Sequence, residues 1–122
     1  MARTLSVNDT GRLHQVEEEG SLLIEEGPAS GSLPGNVRAR LTLGTTVTLG
    51  FTLYVHGGTI SGHGSARLNP GKGEFASFSG TLSVTHGSGH YAHATGSGGL
   101  YGTIDRLNND NAVVQVVGRL HL

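Results

Sequence analysis

Residues 46–68 read TVTLGFTLYVHGGTISGHGSARL, and the fold turns on how this stretch is taken. In its first half Val47, Leu49, Phe51, Leu53 and Val55 alternate with Thr46, Thr48, Gly50, Thr52 and Tyr54. Successive side chains of an extended chain point to opposite faces, so a period of two makes a strand with one apolar and one polar face. His56-Gly57-Gly58 then breaks the alternation, and such a Gly pair between two runs is a tight hairpin signal. Residues 59–68 read as the returning strand.

The same period recurs on both sides. Ala76, Phe78, Gly80, Leu82 and Val84 alternate with Phe75, Ser77, Ser79, Thr81 and Ser83, and Val37, Ala39, Leu41 and Leu43 alternate with Arg38, Arg40 and Thr42. Helical periodicity is almost absent. Gly/Pro/Asn/Asp clusters punctuate the runs at NDTG (8–11), GPASG (27–31), LPG (33–35), NPGKG (69–73) and NND (108–110). Strands are predicted near 3–7, 12–16, 21–26, 37–43, 46–56, 59–68, 74–85, 96–106 and 112–121, the first two open to reading as one broken strand. Eight or nine strands on short connections imply an antiparallel up-and-down sheet. A sheet of that size has edges to hide, and closure removes them. The expected fold is therefore all-β, an eight-stranded antiparallel β-barrel in a single domain over 1–122. The apolar stripe has the packing volume and is expected inside; the rival arrangement puts the polar face in the lumen. Glycines within strands suit tight coiling.

Composition removes several function classes. The chain of 122 residues has no Cys, which excludes disulfides and thiolate metal sites. Its formal net charge of −1 supplies no basic field for nucleic acid or anionic membrane. No apolar run approaches the ~18 residues of a membrane span. The start MARTLSV lacks an apolar signal core, which fits a cytoplasmic protein or a mature secreted domain.

The segment LSVTHGSGHYAHATGSGGL (82–100) resembles the signature of the allene oxide cyclase and dirigent barrels. Val84, Gly87, Ser88, Gly89, Tyr91, Ala94 and Gly96 take the places of its strand end, glycine turn, aromatic and strand restart. The flanks GFTLYVHGGTISGHGSARL, DNAVVQVVGRLHL and EEGPASGSL are similar to neighbouring strands of those families. The resemblance, over roughly 22–122, implies an eight-stranded antiparallel barrel, often trimeric, with a bacterial polyketide-folding branch beside the plant cyclases and coupling guides. It implies that His86–Gly89 is a corner, that Gly87 and Gly89 adopt unusual dihedrals, and that Tyr91 plugs a barrel end. It carries over no catalytic residue, because SVNDTG (6–11) offers Asn8 and Asp9 only as loose stand-ins.

Several constellations could carry chemistry. His86, His90 and His93 have a spacing that could meet one zinc, but glycines oppose the helix this needs, and turn histidines are the expected reading; no metal and no cofactor is assigned. His56 and His63 flank the hairpin and could act as acid and base, or sit exposed at strand ends. Tyr54 and Arg38 lie on polar strand faces, catalytic if that face lines the lumen and solvated if not; Arg38 opposite a Glu would be a plain ion pair. VEEEG (16–20) and IEEG (24–27) read as a solvated hairpin, yet Glu25 alternates with Leu23, and a Glu buried among aliphatics could serve as a general acid or base. Leu22 and Ile24 are counted with the apolar stripe.

The functional expectation is a barrel that binds a hydrophobic small molecule and steers a cyclisation or isomerisation by confinement. Glu25, His56, Tyr54 and Arg38 are the catalytic candidates, and Leu49, Phe51, Leu53, Phe78, Leu82 and Leu100 line the ligand. The expected partners are that molecule and further copies of the chain in a homotrimer. The alternative is a non-catalytic structural or oligomerisation barrel.

Overall fold

A computed structural model describes residues 4–42, 44, 46–69, 75–105 and 111–122. Eight strands follow in order: β1 (Thr4–Glu19), β2 (Leu22–Gly31), β3 (Gly35–Thr42), β4 (Thr46–Val55), β5 (Gly58–Asn69), β6 (Phe75–Gly89), β7 (Thr95–Asp105) and β8 (Asn111–His121). Each pairs antiparallel with the next, and β8 pairs back onto β1 from Leu13↔Ala112 to Thr4↔His121. The sheet is a closed barrel with no free edge.

The apolar stripe is inside. Val47, Leu53, Phe78, Leu82, Leu100 and Ile104 are buried, while Thr46, Thr48, Ser77, Ser79 and Thr81 are exposed. Many cross-strand partners inside the barrel are matched large to small, though Leu41 pairs with Leu49 and Leu53 with Ile60. Leu49 faces Gly64 and Phe51 faces Gly62; Phe78 faces Gly102, Leu82 faces Gly98, and Leu100 faces Gly80. An eight-stranded barrel has room for about one layer of side chains, so two large residues could not face each other at every rung. Gly102 shows how tight the fit is: a Cβ there would lie 2.2 Å from Val113 O and 2.5 Å from the Phe78 ring.

Three turn readings are overturned. NDTG is not a turn: residues 8–11 are strand, and β1 runs unbroken from Thr4 to Glu19 with a bulge between Gln15 and Glu17. GPASG belongs to β2, which pairs as far as Asp9↔Gly31 and Ala29↔Gly35. His86–Gly89 is not the corner itself, because β6 continues to Gly89 after an irregularity at Ser61/Gly62, with His86 opposite Ser61. For NDTG and GPASG, strands on both sides outweigh the turn preference of the local residues, and for His86–Gly89 pairing with β5 alone does so. The turn is residues 90–93. Of the two glycines expected to adopt unusual dihedrals, Gly89 has a left-handed backbone, φ 61°, and Gly87 does not. Tyr91 and Ala94 pack into an apolar cluster with Leu5, Leu33, Leu53, Ile60 and Leu120 that closes one end. Antiparallel order brings both chain ends and the turns near 32–34 and 56–57 to this same end; it is called the termini end below. Residues 70–73 of NPGKG and all of NND lie outside the described residues.

Candidate functional site

A cavity of about 140 Å³ occupies the lumen, lined from Leu120 near the termini end to Leu41 and Leu49 on β3 and β4. Leu49, Phe51, Leu53, Phe78, Leu82 and Leu100, the six residues expected to line a ligand, all line it. The first three strands add both larger residues, such as Leu13 and Leu41, and small ones, Gly11, Ala29 and Ala39, the last in register beside Phe51. Arg119 touches the cavity rim beside Gly118, but its side chain is exposed outward. Ser97, also exposed outward, touches it too; the other described lining residues are glycine or apolar except Asp9, whose ionisable side chain is buried against the cavity.

Asp9 follows from the unbroken β1. Leu5, Val7, Asp9, Gly11 and Leu13 share its inward face. The Asp9 side chain is buried, 7% exposed. Its Oδ1 accepts the Leu33 N–H at 2.7 Å. The neighbouring turn is stitched to the same strand, since Ser32 N–H donates to Asn8 O at 3.2 Å and Asn8 N–H donates to Ser32 Oγ at 2.9 Å. Burial pushes the Asp9 carboxyl above its ordinary value of 3.8, and the Leu33 hydrogen bond offsets only part of that. The group is thus a carboxyl biased toward its neutral form, set in an apolar pocket beneath the Leu33 turn.

The four residues nominated for catalysis do not converge on this cavity. Glu25 does enter the barrel and is fully buried, 0% exposed. It sits in register with Gln15 and Ala39. Gln15 is six residues beyond Asp9 on β1, about 20 Å along a strand, so the two buried carboxyls cannot act as a pair. Tyr54 lies on the outer wall, 50% exposed. Arg38 is also outside, ion-paired with Glu26, its register partner. His56 is exposed in the β4–β5 turn, and His63 is exposed on the outer wall opposite Gly50 and Ser83. The polar faces are therefore the solvated ones. Leu22 and Ile24 depart from the expectation too: they fall in register with Thr42 and Arg40, on the face opposite Leu23, Glu25, Gly27 and Ala29, although Ile24 is itself buried, 8% exposed. Glu17, Glu18 and Glu19 are exposed. Among the described residues no three His, Asp or Glu side chains gather as a metal-holding group.

Asp9 is the site residue that sequence reading missed. The signal was there, because Asp9 keeps the alternation with Leu5, Val7 and Leu13; the turn-forming composition of NDTG hid it. Compared with protein-family models, with curated proteins and with solved structures, the chain matches none.

Proposed function

We propose that this barrel binds a small apolar molecule in its lumen, against Asp9. The observation that supports this reading is the 140 Å³ cavity with apolar walls and a single inward carboxyl. A dry apolar cavity of about 150 Å³ takes up benzene in a protein engineered to have one, so the volume suits a body of that size rather than an extended chain. The closed antiparallel barrel agrees with the allene oxide cyclase and dirigent resemblance of residues 82–100. Where the bound molecule is also turned over, the reading is a cyclisation or isomerisation by confinement. Asp9, not Glu25, His56, Tyr54 or Arg38, is then the side chain placed to give or take the proton.

The test is a benzene titration followed by thermal unfolding and by NMR. Benzene at ten times its dissociation constant is expected to stabilise the protein by about 1.4 kcal/mol, a rise of roughly 3–6 °C in Tm. The shifted resonances are expected to be those of Leu49, Phe51, Leu82 and Leu100. A Tm and a spectrum indifferent to benzene, toluene and xenon would make the barrel a structural module.

A further inference from the structure

The lumen glycines are of two kinds. At Gly62, Gly80, Gly98, Gly102 and Gly118 a Cβ would come within 1.9–2.6 Å of a backbone oxygen on a neighbouring strand. Coiling of the barrel brings these strands so close that only glycine fits. Gly11 is different. A Cβ there would meet Leu13 Cδ2 at 3.7 Å, an ordinary contact, and the nearest backbone atom, Val114 O, at 4.0 Å. Its φ is not among the positive ones either. Neither its conformation nor its neighbours require glycine at this position, and glycine weakens a strand interior.

What lies in front of Gly11 is the cavity. Two independent features meet there. Asp9, two residues earlier on the same face of β1, is buried and borders the same space. The Leu33 N–H donates to its Oδ1 and holds the carboxyl at the edge of that space. Across β2 the register partner of Gly11 is Ala29, so the wall stays low beside it.

We propose that Gly11 is the specificity-determining position of the lumen: its missing side chain reserves the space in which the apolar body of the ligand lies next to Asp9. This rests on the small-molecule reading above and deepens it. The ligand is a compact apolar molecule with a body of about benzene's size, and residue 11 sets the upper limit of that size.

The experiment compares wild type with Gly11→Ala, Gly11→Val and Gly62→Ala, reading unliganded Tm and benzene affinity. Gly11→Ala is expected to fold with Tm at or above that of wild type, because its Cβ adds apolar contact without a clash, and Gly11→Val is expected to fold with its further methyls in the cavity. Benzene affinity is expected to fall at least tenfold in Gly11→Val and by less in Gly11→Ala. Gly62→Ala, whose Cβ would lie 1.9 Å from Ser83 O, is expected to lose stability and marks what a structurally required glycine looks like. If Gly11→Ala is destabilised as Gly62→Ala is, the glycine serves the fold and the proposal is overturned. Equal benzene affinity in wild type and Gly11→Val overturns it as well. Failure of benzene to bind wild type is a separate result and removes the small-molecule reading itself.

Discussion

At the scale of the residue, Asp9 combines a charge-bearing group with an apolar cavity. Its raised pKa has a consequence for stability, with a sign opposite to that of a salt-bridged carboxylate. The folded state favours the protonated carboxyl more than the unfolded chain does. Its stabilising contribution is therefore complete below the ordinary value of 3.8 and is lost as pH rises through the higher folded value. Asn in its place keeps an oxygen for the Leu33 N–H and cannot ionise. Urea unfolding of wild type and Asp9→Asn at pH 4, 5, 6 and 7 is expected to show the variant gaining on wild type as pH rises. Parallel curves would mean that Asp9 titrates normally. The residue was half legible: Asp9 sits in phase with Leu5, Val7 and Leu13, but Asn-Asp-Thr-Gly is also turn chemistry. The choice between the two depends on β8, more than a hundred residues away, whose Val116 pairs with Asp9.

At the scale of the element, the turns separate two reasons for glycine. Gly20 in the β1–β2 turn and Gly89 at the end of β6 both have φ 61°. Around Gly20 a Cβ would meet nothing within 4 Å, whereas at Gly89 it would lie 2.1 Å from Gly57 O. Gly20→Ala should thus pay only the left-handed backbone penalty, about 1–2 kcal/mol. Gly89→Ala adds to it the displacement of the β4–β5 turn, about 1–3 kcal/mol more. Denaturant midpoints check the difference, and equal losses would show that the close approach of the two turns is not structurally significant. Element existence was legible wherever alternation was long, as in β4 and β6. Element ends were not, because GPASG and HGSG carry turn residues yet are held extended by neighbouring strands, GPASG by β1 and β3 and HGSG by β5.

At the scale of the whole molecule, closure decides which surface meets water. The β1–β8 pairing leaves no edge, so further association cannot proceed by adding a strand to the sheet. Most of the outer wall is Ser, Thr and charged groups, but Tyr101, Val113 and Val117 are 50%, 40% and 46% exposed. They are neighbours: Tyr101 pairs with Gln115, between the two valines, and its ring lies over Gly99, the partner of Val117. The trimer implied by the motif resemblance would gain from burying this face. Sedimentation equilibrium at micromolar concentration is expected to give three times the 12.6 kDa chain mass, reduced by Val117→Arg. A monomer across the range would reject the trimer.

Alternation, punctuating turns and the want of helical periodicity were enough, from the sequence alone, to define an all-β chain of antiparallel strands, each with one apolar and one polar face, and to favour the apolar face as the inner one. Those signals are local, and burying one face of each strand leaves little choice about its orientation. The inward direction of Glu25 and the outward direction of Ile24 were decided only in three dimensions, by the register of β2 against β1 and β3. So were the depth of Asp9 and the space before Gly11. Each depends on contacts between strands far apart in sequence, where the volume left at a rung is a difference between side chains contributed by the whole circumference of the barrel. No window along the chain contains that difference.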